Sequence, residues 1–140
     1  MSKSGFTDPF SPPEVADKMR SIGVTKATMS FSQLIVLALI AGAFISFGAM
    51  YYTVVMTDPA EAWGASRMLG GIAFSLGFVL VVIAGAELFT GNNLIVMAWA
   101  GGMVSTPQIL RNWGLVYLGN MIGAFGTLFL LYLSGYLDGN

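Results

Sequence analysis

The sequence predicts an all-α membrane protein with three transmembrane helices, the second of them broken at mid-membrane. Three observations predict it. Hydrophobic residues make up 56% of the 140 residues and charged residues only 9%, against about 25% charged in an ordinary soluble domain. The few charges leave long uncharged runs: none lies between Lys26 and Asp58, between Arg67 and Glu87, between Glu87 and Arg111, or between Arg111 and Asp138. The middle apolar stretch is interrupted by one acidic residue followed by turn-forming residues.

Residues 1–30 read as a cytoplasmic N-terminal segment. Within it, Phe10-Ser11-Pro12-Pro13-Glu14 is a helix start: Ser11 caps, Pro12 suits the first turn and Glu14 completes a capping box. This helix is expected to run to about Ile22, with Gly23 as its C-terminal stop. Val15, Met19 and Ile22 share one face, while Asp17, Lys18 and Arg20 lie elsewhere. That pattern suits an amphipathic helix on the inner membrane surface. It would serve there as a gate, or as an anchor or packing element, and both readings stay open.

Residues 31–140 form a three-span unit. A membrane-crossing helix needs about 20 mostly apolar residues, which gives spans at 31–56, 68–99 and 108–133. The polar N-terminus and the length of the first apolar run argue against a cleaved signal peptide. Gly42-xxx-Ser46, Ala73-xxx-Gly77 and Gly119-xxx-Gly123 each put two small side chains on one helix face, a spacing that lets helices approach closely in lipid. Lys3, Lys18, Arg20, Lys26 and Arg111 fall on one side of the bilayer and Arg67 alone on the other. This bias predicts a multi-pass protein of the inner (cytoplasmic) membrane with its N-terminus in the cytoplasm.

The interruption reads Gly85-Ala86-Glu87-Leu88-Phe89-Thr90-Gly91-Asn92-Asn93. An acidic residue at membrane depth costs about 3 kcal/mol on insertion scales, so it faces a cavity or a protein partner. Thr90, Gly91, Asn92 and Asn93 are turn and cap types. The helix is therefore expected to break at 87–91 and to restart near Asn92. Irregular backbone at this depth is tolerated only when buried in protein or lining a water-filled cavity. The restarted half-helix would turn unpaired N–H groups and a positive dipole end toward anions. Glu87 is expected to brace the break locally, with Gly91 and Asn92, by accepting hydrogen bonds from the loop or the restarted helix. Phe74 and Phe78, four residues apart, either narrow a pore or fill a helix interface; Leu88 and Phe89 come from the break itself. Asn120 is expected to make a helix–helix hydrogen bond.

Other functions are excluded by composition. With neither cysteine nor histidine, there is no thiolate or imidazole metal site and no Ser-His-Asp arrangement. An enzyme, a metal and a cofactor are not expected. A net charge of −1 gives no reason to expect a nucleic-acid partner.

Gly70-Gly71-Ile72-Ala73-Phe74-Ser75-Leu76-Gly77, then Ala86-Glu87-Leu88-Phe89-Thr90-Gly91-Asn92, then Asn112-Trp113 and Tyr117-Leu118-Gly119-Asn120 resemble the formate/nitrite transporter family. The resemblance runs through the whole chain, including the proline-rich start and Lys26-Ala27. It implies an aquaporin-like fold of two inverted three-span repeats, assembled as a homopentamer with one pore per subunit. It also implies that Leu88, Phe89 and Thr90 shape the cytoplasmic constriction and hydrogen-bond the anion, and that Phe74 belongs to the outer constriction. Phe78 stands where formate channels often carry a smaller apolar residue of the inner constriction. The family's central histidine lies in its second repeat, where an acidic residue is followed at once by histidine and, five positions after the acid, by asparagine. Glu87 and Asn92 repeat that spacing here, with Leu88 in the histidine place. The chain is thus expected to be a first repeat, needing a second three-span repeat from a missing portion or another chain. The expected function is passage of small monovalent anions across a bilayer, formate first, with nitrite or hydrosulfide as alternatives. A neutral-solute pore of the aquaporin kind and a non-conducting membrane anchor are the remaining readings.

Overall fold

The computed structural model describes residues 10–57 and 63–136. Lys3, Asp58 and Asp138, used above in the charge pattern, lie outside the described residues. The elements are α1 (Pro12–Ala27), α2 (Phe31–Thr57), α3 (Trp63–Ala84), α4 (Phe89–Asn92), α5 (Ile95–Ala100) and α6 (Thr106–Leu133). All are helices, and α2, α3 and α6 are each long and apolar enough to cross a membrane.

Helix α1 starts as its sequence dictates. The Ser11 N–H and hydroxyl both donate to Glu14 Oε2, at 2.7 and 2.6 Å. The Ser11 hydroxyl, then the Ser11 N–H, hold the Glu14 carboxyl below its usual range. The helix does not stop at Gly23. It runs on to Ala27 because Gly23 keeps negative φ and serves as a contact point: a Cβ there would sit 2.9 Å from the Ala98 Cβ of α5. The buried face of α1 therefore carries Gly23 and Ala27, while Val15 and Ile22 of the expected apolar stripe stay exposed. The extra turn carries Lys26 into the bundle.

Helix α2 lies between α3 and α6 and packs extensively against both. Small residues make this possible. A Cβ on Gly42 would collide with the Asn120 carbonyl, and one on Gly123 with the Leu39 carbonyl. On the other side, Cβ atoms on Gly48 and Gly77 would lie 2.6 Å from the Phe74 oxygen and 2.8 Å from the Phe44 oxygen. Backbone-to-backbone approach of this kind replaces the hydrophobic drive that helices lack in lipid.

The second span departs from its expected course in three ways. Helix α3 begins at Trp63, five residues before the expected start at 68, and ends at Ala84, so the break opens two residues before the expected 87. Gly85, with φ of +60°, is the reason. The Gly85 N–H donates to the Val82 carbonyl and the Ala86 N–H to the Val81 carbonyl, the paired bonds of a Schellman stop. The chain restarts at Phe89 rather than Asn92, as the single turn α4, followed by α5. Helix α6 begins two residues before the expected start, because Ser105 and Gln108 form a second capping box, with Ser105 N–H and hydroxyl 2.9 and 2.8 Å from Gln108 Oε1.

Because Gly123 is pressed against α2 and Gly126 has nothing within 4 Å of its would-be Cβ, the two should respond oppositely to alanine. Gly123→Ala is expected to destabilise by about 1–3 kcal/mol through overpacking, whereas Gly126→Ala stabilises slightly through helix propensity. Thermal unfolding of the two variants in detergent checks this; equal shifts would refute the contact.

Candidate functional site

The break from Gly85 to Leu88 is where the polar side chains of the bundle converge. Glu87 is buried at 3% exposure, and Asn92 and Asn112 are fully buried. No buried polar side-chain atom of the described residues lacks a hydrogen-bond partner. A carboxylate so enclosed is tolerable only with a cation and donors on its oxygens. Lys26 Nζ lies 2.6 Å from Glu87 Oε1, and Asn92 Nδ2 donates to Glu87 Oε2 at 2.7 Å. Lys26 Nζ also donates to Asn92 Oδ1 at 3.1 Å.

The remaining bonds close this group into a ring. Asn92 Nδ2 donates to Asn112 Oδ1 at 2.9 Å, and Asn112 Nδ2 donates to the Lys26 carbonyl at 2.9 Å. Trp113 Nε1 donates to the Asn92 carbonyl at 3.0 Å. Helices α1, α4 and α6 are thereby tied to the loop around one buried charge. The backbone of the loop is tied to α2, with the Glu87 N–H on the Leu37 carbonyl.

Asn120 completes the support. Its Oδ1 accepts from the Phe89 N–H at 2.9 Å, and its Nδ2 donates to the carbonyls of Glu87, at 2.9 Å, and Ala38, at 2.8 Å. It is the fifteenth residue of the 28-residue α6, so the break lies level with the middle of that helix. The expected helix–helix bond from Asn120 to α2 is present, and the two bonds to the loop come in addition.

A groove of about 310 Å³ opens beside the break, bordered by Lys26, Phe78, Leu88, Thr90 and Gly91. The Thr90 hydroxyl and the N–H groups of Thr90 and Gly91 have no hydrogen-bond partner among the described residues. These are the donors a visiting acceptor would meet. The dipole expected from a restarted half-helix is largely absent, because α4 is one turn of four residues and Asn120 occupies its leading N–H.

The other expected site residues are distributed unevenly. Phe74 borders a separate groove with Ala49, Tyr52, Thr53 and Gly71, and meets Phe78 edge-on with ring centroids 5.8 Å apart. Phe89 turns toward α6, edge-on to Tyr117 at 5.5 Å and Trp113 at 6.5 Å. It does not border the groove that holds Leu88 and Thr90. Sequence reasoning misses Lys26 and Asn112 as site residues. A signal for Lys26 exists: an acid buried at depth requires a cation, and Lys26 is the last charge before the first span. Asn112 gives no comparable signal in a single sequence.

The family model for formate/nitrite transporters matches residues 13–140. The chain is 40% identical over 131 residues to the formate channel FocA of Escherichia coli, covering 92% of this chain and 46% of that protein. It is 37% identical to the formate channel FocA of Haemophilus influenzae, over 90% of this chain and 45% of that one. It is 34% identical to the formate channel BtFdhC of Bacillus thuringiensis, over 91% and 49%. The chain spans about half the length of these curated relatives.

Removing one member of the Lys26–Glu87 pair should cost more than removing both. Lys26→Met leaves a buried carboxylate unmatched and is expected to destabilise by about 3–5 kcal/mol. Glu87→Gln should cost less, since the Lys26 side chain, at 24% exposure, can reach water. In a double-mutant cycle read by thermal unfolding, the combined variant is expected to fall well short of the sum; strict additivity would mean the pair does not interact.

Proposed function

This chain belongs to the formate/nitrite transporter family, and from that premise we propose that it forms part of the wall of a transmembrane pore for small monovalent anions, formate first. Nitrite and hydrosulfide, anions of similar size and charge, are the alternatives within the same reading. The single observation that carries the proposal is the unclaimed donor set of Thr90 and Gly91 on a groove beside a broken membrane helix. A solid membrane anchor would have no use for a space there.

The electrostatics suit passage rather than storage. Lys26 brings a positive charge to the groove, but Glu87 lies 2.6 Å away and cancels most of its long-range pull. An anion would thus meet neutral donors with a compensated cation behind them. Conduction requires binding strong enough to enter and weak enough to leave. Beyond the donors, Phe78 and Leu88 are apolar, and a bare charge crosses such a stretch at far higher cost than a neutral acid does. Proton-linked passage of formate as formic acid is the cheaper route.

Several features of the whole assembly belong to the same proposal. Exposed apolar faces remain on α3, where Val82 and Ile83 are 76% and 79% exposed, and on α6 at Phe125 and Phe129. A second three-span repeat, related by inversion in an aquaporin-like fold, would cover part of them and close the groove into a pore, in a homopentamer. Arg111 donates to the Met29 carbonyl, so the basic residues of α1 and α6 share one end of the bundle. The positive-inside rule supports a cytoplasmic position for that end, and the proposed location is the inner membrane.

Formate uptake into proteoliposomes carrying the purified subunit tests the reading. Thr90→Ala removes one hydrogen bond to a charged group, a loss of about 1.5–3 kcal/mol, and should raise half-saturation about tenfold or more. Unchanged uptake would take Thr90 out of the path. Osmotic swelling in glycerol without formate uptake would favour the neutral-solute pore instead.

A further inference from the structure

Asn120 touches the break without bordering the groove. Its carboxamide accepts from the Phe89 N–H and donates to the Glu87 carbonyl, the two backbone groups that flank Leu88. A neighbouring strand would bond to an extended residue in the same two-point manner. Leu88 is extended accordingly, with φ −96° and ψ 132°. The second hydrogen of Nδ2 goes to the Ala38 carbonyl at 2.8 Å, so the carboxamide cannot swing away without losing α2.

We propose that Asn120 is a positioning residue for the pore: by bracketing Leu88 it fixes where Leu88 and Thr90 stand in the groove, and so sets which anions the groove admits. The proposal rests on the pore reading above. Helix geometry makes the coupling stiff. Leu88 is the N-terminal flanking residue of α4, and the Asn92 N–H donates to its carbonyl at 3.1 Å. Any rotation of Leu88 therefore turns the whole of α4, Thr90 with it. The site demands this amide. Aspartate of the same shape would aim acceptors at two carbonyls, glutamine would overreach by one methylene, and leucine would strip a partner from three backbone groups.

A merely structural role would lower the transport of every anion in proportion. A positioning role changes the ratio between them. Proteoliposomes with equal amounts of Asn120→Leu and of the unaltered protein are compared for uptake of formate and of the bulkier acetate. The expected result is a formate rate reduced at least tenfold and an acetate-to-formate ratio raised several-fold. An unchanged ratio overturns the proposal, whether or not the rates fall. A second measurement needs no variant. In the unaltered protein the Phe89 amide, held by Asn120, should exchange with deuterium at least tenfold more slowly than the Thr90 and Gly91 amides. Comparable exchange at all three overturns the proposal even if Asn120→Leu does not fold. Failure of the pore reading looks different: the unaltered protein would pass neither anion, while the protection of Phe89 persisted.

Discussion

A carboxylate buried at the middle of a membrane bundle dictates much of this structure. Glu87 at 3% exposure is tolerable there only if its oxygens are matched, and the cation that meets it belongs to a different element. Lys26 reaches it because α1 continues one turn past Gly23, and α1 lies close enough because Gly23 presses against Ala98 of α5. The course of the N-terminal helix, its docking point and its final turn thus follow from the need to neutralise one charge. Asn92 and Asn112 satisfy what remains, and the Lys26 carbonyl closes the ring.

Close helix packing and the polar site depend on each other. Gly42 allows the backbone of α6 at Asn120 to touch α2, with no room for a methyl group between them. Only at that separation can the Asn120 side chain bond the Ala38 carbonyl of α2 and the loop together. A bulkier residue at position 42 would therefore disturb the loop through α6, though it makes no contact with the loop itself. In water such a loop would be soaked and mobile. Here α2 and α6 stand in for the water: the Glu87 N–H goes to the Leu37 carbonyl, while Asn120 takes the Phe89 N–H and the Glu87 carbonyl. The donors of Thr90 and Gly91 are left to the groove.

The three spans are legible because a long run without charge has little use except to cross a bilayer, and the acid within the second run marks the break. The sequence places the start of that break two residues too late and the restart three. Asn92 and Gly91 are turn-forming types and draw attention, yet Asn92 is fully buried and donates to Glu87, and the stop is made by Gly85. Gly23 misleads for the complementary reason: glycine marks helix ends and close contacts alike, and a single sequence does not distinguish them. Gly23, expected as a stop, is a contact, and Gly85, given no role from the sequence, is the stop. Phe89 shows a further limit. Its neighbours Leu88 and Thr90 border the groove, but the aromatic pair Trp113 and Tyr117 on α6 draws its ring aside. Adjacent residues in a tight turn point in different directions, which spacing alone does not resolve.

The pairing of Lys26 with Glu87 has a consequence for how an anion would be held. An isolated lysine at this depth would bind an anion tightly and release it slowly, since in a medium of low dielectric the attraction is far stronger than in water. With the carboxylate 2.6 Å away, the pair presents a dipole rather than a charge, and its field decays within a few ångströms. Attraction is then confined to the few ångströms of groove where Thr90 and Gly91 stand. In the proposed pore, Glu87, which as an acid looks misplaced beside an anion's path, would keep that path from becoming a trap.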